Sequence, residues 1–186
     1  MAKDRPTTGV ERTVDPARLL VSKTDLTGKI VYFNDYFREL AGFTRAELMG
    51  APHSIVRHPQ TPRAIYKRMW ARIANDKREM FAFIVNRCAN GDHYWVVAHV
   101  TPSFNTKGQV TGYHSNRRAT TPGVIKDVIA PLYAEMCAAE DAAANGEAAL
   151  AAGETALDAF IAARGRDYDE VIVRMAYDAA MSGKAA

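Results

Sequence analysis

The sequence predicts an α+β fold: a five-stranded antiparallel sheet with helices on one face, followed by a C-terminal helical extension. Three observations carry this. Runs of β-branched and aromatic residues open and close the stretch from 19 to 120, and helix start and stop signals crowd between them. After Thr120-Thr121-Pro122-Gly123 the composition then turns abruptly to Ala, Glu, Asp and Leu. The expected organisation is an N-terminal arm or cap over 1–18, an α+β domain over 19–120 and an α-helical extension over 121–186.

Element by element, Leu19-Leu20-Val21 and Lys29-Ile30-Val31-Tyr32-Phe33 flank Thr27-Gly28 and read as a first hairpin. Asn34 or Asp35 caps a short helix that Gly42 ends, and Thr44-Arg45-Ala46-Glu47 is a capping box for a second one stopping at Gly50. Thr61-Pro62 has the chemistry of a helix start. Beyond it Ile65, Met69 and Ile73 recur at i, i+4 and i+8 beside Tyr66 and Trp70, which predicts the longest helix of the domain, with Lys67, Arg68 and Arg72 toward water. Met80 to Arg87, Tyr94 to Pro102 and Gln109 to Arg117 read as three strands of a meander, turning at Asn90-Gly91 and Asn105-Thr106-Lys107-Gly108. In the extension, Val128, Leu132 and Met136, then Leu150, Leu157, Phe160 and Ile161, then Val171, Ile172, Met175 and Ala176 form apolar stripes. Gly146, Gly153 and Gly165 read as breaks between two or three helices.

The 186 residues, 48% of them apolar, suit one globular domain plus an extension. No apolar run is long enough for a membrane span, and Met1 to Thr13 carries no apolar core of an export signal. Cys88 and Cys137 are isolated, which argues against a disulfide framework or a zinc site and for a reducing cytoplasm. A net charge of +3 does not imply nucleic-acid binding. Its distribution is uneven: Arg57, Arg63, Lys67, Arg68, Arg72, Lys77, Arg78 and Arg87 crowd the middle, whereas Glu135 to Asp158 holds six acids and no Lys or Arg. Both blocks read as solvated helix faces.

Alternation along the first meander strand puts Met80, Ala82, Ile84 and Asn86 on one face. Asn86 is then a carboxamide ending an apolar row; it either bonds a neighbouring backbone group or meets the donor and acceptor edge of a ligand such as a flavin. Arg57 and His58, just before a helix start, form either an exposed pair or a grip on a pyrophosphate. No paired carboxylates, Ser-His-Asp series or Gly-rich phosphate loop can be assembled, so catalysis is not expected.

These residues resemble the PAS family and, within it, the flavin-binding redox sensors of the aerotaxis-receptor type. The resemblance runs over about residues 20 to 119, through Thr24-Asp25-Leu26, Phe33-Asn34-Asp35, Gly42-Phe43, Glu47-Leu48-Met49-Gly50, and Pro52-His53 through Arg57-His58-Pro59. It continues with Trp70, Asn86-Arg87, Asn90 to Trp95, Val100-Thr101-Pro102 and Gly112-Tyr113, and Ile129 to Tyr133 is similar to the segment that follows the domain in such receptors. It implies a PAS fold with FAD between helices and inner sheet face, and a cofactor site of Asn34, Arg57, His58, Trp70, Met80 and Asn86. Two positions depart from the pattern: Gln60 replaces an acid, and Met80 replaces the tryptophan that sits on the flavin. His53 stands where light-sensing members have their adduct cysteine, and a haem would need one of His53, His58, His93, His99 or His114 as its axial ligand. The resemblance thus implies a cytoplasmic, non-enzymatic sensor that holds FAD. It would report redox state, or oxygen and energy status, to a chemoreceptor or histidine kinase, working as a homodimer. The alternatives are a cofactor-free dimerisation or interaction module and a haem-binding gas sensor.

Overall fold

The computed structural model describes residues 6–165 and 167–182; the first five residues of the expected arm lie outside them. Five strands, β1 (Leu20–Thr24), β2 (Ile30–Phe33), β3 (Met80–Arg87), β4 (His93–Phe104) and β5 (Val110–Arg118), form one sheet in the order β2-β1-β5-β4-β3. Every neighbouring pair is antiparallel. Between β2 and β3 lie α1 (Asp35–Ala41), α2 (Arg45–Leu48), a 3-10 turn (His53–Val56) and α3 (Arg63–Trp70), which widens into a π turn over Ala71–Asn75. The α+β expectation, helices over one sheet face, is met.

The register decides what the inner face carries. Directly opposed residues project to the same side. One row therefore runs Leu20, Arg117, Ala98, Ala82 across four strands, and the next runs Ser22, Ser115, Val100, Met80. Arg117 stands on the central strand, under the helices.

Local chemistry sets most boundaries as expected. Asn34 accepts from the Phe37 amide, Gly42 closes α1 in the left-handed region at φ 73°, and Thr44 and Glu47 complete their reciprocal box. The start of α3 differs from expectation. Thr61 does not cap it; its hydroxyl turns to the Val85 carbonyl at 3.1 Å. The free amides of Arg63 and Ala64 are instead taken by the Glu140 carboxylate, at 3.0 and 2.8 Å, from more than 70 residues downstream.

Beyond β5 a short helix α4 (Pro122–Val124) runs through a π turn (Ile125–Ile129) into α5 (Ala130–Asp141), α6 (Gly146–Ala162) and α7 (Tyr168–Ser182). Gly146 and Gly165 fall at helix ends as expected, but Gly153 does not break α6. A Cβ there would come within 2.5 Å of Glu140 Oε1 and 2.9 Å of Ala64 Cβ, so this glycine lets α6 close on α3 and α5. Lys67, Arg68 and Arg72 likewise do not simply face water; each pairs with an acid of the extension.

The extension also protects β3, an edge strand whose outward carbonyls would otherwise be free to template another chain. Tyr168 donates to the Phe81 carbonyl at 2.9 Å and Tyr133 to that of Phe83 at 2.5 Å, while Thr61 takes Val85. At the other end of the domain, residues 8–12 lie along the β3–β4 turn: Thr8 N donates to Gly91 O, His93 N to Val10 O and Arg12 N to His93 O. Arg12 reaches Asp92 and the Leu40 carbonyl, tying this turn to α1.

Removing one edge cap should be measurable. Tyr133→Phe leaves a buried carbonyl unpaired and should cost about 1–2 kcal/mol in urea unfolding; an unchanged midpoint would mean that the Phe83 carbonyl does not depend on that hydroxyl.

Candidate functional site

Between α3, the 3-10 turn and the inner face lies a cavity of about 280 Å³. The α3 face toward it carries Tyr66, Met69, Trp70 and Ile73, spaced i, i+3, i+4 and i+7, so one apolar stripe supplies the wall. The sheet contributes Ile84, Asn86, Ala98, Val100, Tyr113, Ser115 and Arg117. Trp70 stands at the rim, 40% exposed. Its ring meets Tyr113 edge-on at 5.2 Å and lies over Gly28, where a Cβ would be 3.3 Å from the indole.

Three side chains on this wall, Asn86, Arg117 and His114, each keep one buried nitrogen without a protein partner. The Asn86 carboxamide is buried, and its Nδ2 finds no acceptor. Arg117 is 2% exposed; its Nη2 donates to Ser22 Oγ and to His53 Nε2 at 2.7 Å, while Nη1 has no partner. Its guanidinium lies 4.9 Å from the Phe37 ring centroid. Burial lowers the Arg117 pKa to about 10, so the side chain stays cationic at neutral pH. Burial, then the Arg117 charge, pulls His53 down to about 3. His53 is therefore neutral, and since guanidinium only donates, its Nε2 accepts and Nδ1 carries the proton. The result is a fixed positive charge and an idle amide beside a mainly apolar slot.

The six residues expected at a cofactor do not all reach this cavity. Arg57, Trp70 and Asn86 line it, with the Arg57 guanidinium stacked 3.9 Å over Tyr66 and its backbone bridged to Asn86. His58 does not, because Arg57 and His58 are consecutive in extended chain and project to opposite sides. The His58 ring is buried against His93, with Nδ1 accepting from Gln60 N, and burial, with the nearby His93 and Arg87 charges, holds it at about 4. The joint grip of Arg57 and His58 on one phosphate group is thus not formed. Met80 is fully buried on the inner face opposite Val100, outside the cavity lining. Asn34 is also elsewhere, its carboxamide spent on Val21 N, Phe37 N and Leu19 O. Of the five histidines, His53 and His114 line the cavity; His99 stacks on Phe81 at 4.2 Å away from it. Cys88 is buried against the Leu40 carbonyl, with its thiol pushed up to about 11 by burial.

Arg117 and Ser22 were not among the expected residues. Alternation along β5 already groups Tyr113, Ser115 and Arg117 on one face, but only the pairing with β1 and β4 shows that this face is the inner one.

A sequence profile described as the PAS fold matches residues 10–115, more than half of the chain. The chain belongs to the PAS family. Over 115 residues its PAS segment is 43% identical to the aerotaxis receptor of Escherichia coli strain K12, covering 61% of this chain and 22% of that protein. It is 29% identical over 105 residues to a nitrogen fixation regulatory protein of Klebsiella pneumoniae, covering 56% of this chain and 21% of the other. The chain thus spans about a fifth of the length of these relatives. Among solved structures, the light-state LOV domain of the blue-light photoreceptor aureochrome 1 superposes with a TM-score of 0.51 at 20% identity, covering 60% of this chain and 87% of that one. That likeness speaks to the fold. Among the described residues no helix is long and apolar enough to cross a membrane.

The two low-pKa histidines give the PAS fold a predictable acid response. In the unfolded chain each takes up a proton near pH 6.5, whereas in the fold protonation waits until about 3 for His53 and about 4 for His58. The unfolded state therefore binds more protons between those values, and stability must fall as pH drops below 6.5. At pH 5 the loss should be about 1–2 kcal/mol per histidine. Urea midpoints at pH 7.5 and 5 read it, and His58→Gln should flatten the difference; an equal slope in the variant would refute the assignment.

Proposed function

We propose that this PAS domain is a flavin-binding sensor, FAD being the flavin, that passes a redox-dependent signal to a signalling partner. The reading rests above all on one observation: a buried arginine without a carboxylate partner and an idle asparagine amide border the same slot, whose remaining walls are mainly apolar. A neutral, fully packed interior would have no use for either group, since a buried charge left unpaired costs several kcal/mol. A flat heterocycle with acceptors along one edge and apolar faces complements both.

A bound flavin would supply reversible electron transfer, with negative charge or protons accumulating on its ring edge upon reduction. Arg117 would hold a fixed positive charge against that edge, and the neutral His53 would keep the guanidinium oriented without cancelling its charge. Asn86 can present either its amide or its carbonyl by turning about its last bond, which lets one side chain register a change from acceptor to donor opposite it. Trp70 and Met69 would cover the ring. A volume of about 280 Å³ is at the low end for ligand cavities and fits a ring system rather than a whole dinucleotide. The phosphates would then leave past Trp70 toward the exposed Arg57. On this reading Asn34 and His58 support the site from behind, Asn34 through the start of α1 and His58 through the Arg57 segment, while Met80 packs beside Val100 on the inner face.

The likeness to the aerotaxis receptor supports redox, oxygen or energy status as the signal. By the same likeness the recipient would be a chemoreceptor or histidine kinase, with the cytoplasm as the compartment and a homodimer as the working unit. The small cavity favours, as second reading, a cofactor-free interaction module.

The absorption spectrum of freshly purified protein tests this. The near-ultraviolet and blue bands of oxidised flavin, with FAD released on heating, are the expected result. A colourless protein that refuses added FAD would move the case to the interaction module, and a Soret band to haem. Asn86→Ala should weaken FAD binding about tenfold, the worth of one buried hydrogen bond. Arg117→Met separates function from stability: removing an uncompensated buried cation should leave the urea midpoint equal or higher while lowering flavin affinity and the reduction potential of what remains bound. A large loss of stability with unchanged affinity would make Arg117 a structural residue.

A further inference from the structure

Helix α3 has two working faces. One lines the cavity through Tyr66, Met69, Trp70 and Ile73. The other carries Arg63, Lys67, Arg68 and Arg72, and all four are engaged by acids of the C-terminal extension. Arg63 Nε meets Glu140 at 3.0 Å, Lys67 Nζ meets Glu154 at 2.7 Å, Arg68 meets Asp158 at 2.5 Å, and Arg72 pairs with Asp169. Part of the basic block thus faces part of the acidic block across one interface, with Asp169 beyond that block completing it.

That interface joins one buried carboxylate and an apolar strip, with Leu157, Ile161, Val171 and Ile172 of α6 and α7 buried in the common core, to a weak ionic periphery. Glu140 is 3% exposed and accepts the two free amides at the α3 start as well as Arg63. The remaining pairs are partly exposed, the kind that contributes little each and is screened by salt. Both chain segments entering it contain π turns, Ala71–Asn75 at the end of α3 and Ile125–Ile129 ahead of α5. Such wide turns occur mostly as single turns inside α-helices and are frequent at functional sites.

We propose that the basic face of α3 is the surface through which the state of the cavity leaves the domain, and that the acidic residues of α6 and of the start of α7 occupy it as a releasable latch. A ligand pressing on Tyr66, Met69 or Trp70 displaces the helix that also presents the four cations, so cavity occupancy and latch closure share one element. Latch opening would bare a cationic helix face and free those acidic residues for a signalling partner. The coupling to a ligand rests on the sensor reading above; the latch does not.

Hydrogen exchange of the full-length chain, resolved by mass spectrometry, tests both parts. At about 1 M salt, where the Debye length falls to about 3 Å, amides of 146–162 should exchange about threefold or more faster while those of β3, β4 and β5 stay unchanged. Lys67→Glu should produce the same opening at low salt, and adding Glu154→Lys should reverse it. Exchange that rises equally in α6 and in the strands, or a double variant no better than the single, would overturn the latch. For the coupling, Val100→Phe fills the cavity from the sheet side without any cofactor and should also change exchange in 146–162, as should added FAD. If absorbance shows FAD bound while neither FAD nor Val100→Phe alters α6, the coupling fails and the flavin reading survives. If FAD does not bind but Val100→Phe alters α6, the flavin reading fails and the coupling survives.

Discussion

A guanidinium held on the central strand without a carboxylate partner is the constraint around which this domain is arranged. Arg117 sits on β5, the middle strand, with its side chain on the face covered by helices. Such a charge is tolerable only if its surroundings supply acceptors and keep a polarisable face nearby. Ser22 comes from the paired strand β1, His53 from the 3-10 turn above, and the Phe37 ring from α1. Three otherwise separate elements thus converge on one side chain. His53 is kept neutral by the same burial, so the positive charge is preserved rather than shared.

The second organising feature is electrostatic at longer range. The helix that closes the cavity is held from outside by Glu140, whose carboxylate does for α3 what a local capping residue does for most helices. Gly153 makes this possible by removing the side chain that would fill the space Glu140 needs. The extension simultaneously supplies the tyrosine hydroxyls that cover the β3 edge. A segment whose composition marks it as separate from the sheet domain is therefore bonded both to the cavity wall and to the sheet.

Much of the architecture was legible because it is written in short-range chemistry. The Asn34 and Thr44 caps, the Gly42 stop, the i, i+4, i+8 stripe of α3 and the turns at Asn90-Gly91 and Asn105 to Gly108 each depend on residues within a few positions of one another. The site was legible only in part. Arg57, Trp70 and Asn86 reach the cavity, but strand alternation could not say how far Met80 lies from it. Likewise, the pairing of Arg57 with His58 ignored that adjacent residues in extended chain diverge. By sequence Asn34 suits both a cap and a cofactor ligand; in the fold its carboxamide caps α1 through Phe37 N and also bonds Val21 N and Leu19 O, away from the cavity.

By itself, then, the sequence determined the order of strands and helices, the PAS resemblance and the apolar face of α3, since periodicity and capping are properties of neighbours. Only the tertiary structure decided that Arg117 and Ser22 belong to the cavity, that Thr61 guards a strand instead of starting a helix, and that the basic and acidic blocks meet. Those outcomes depend on strand register and on contacts between residues far apart in sequence, from 24 positions for Thr61 with Val85 to 77 for Arg63 with Glu140 and 95 for Ser22 with Arg117. No local pattern encodes which distant partner will satisfy a buried charge.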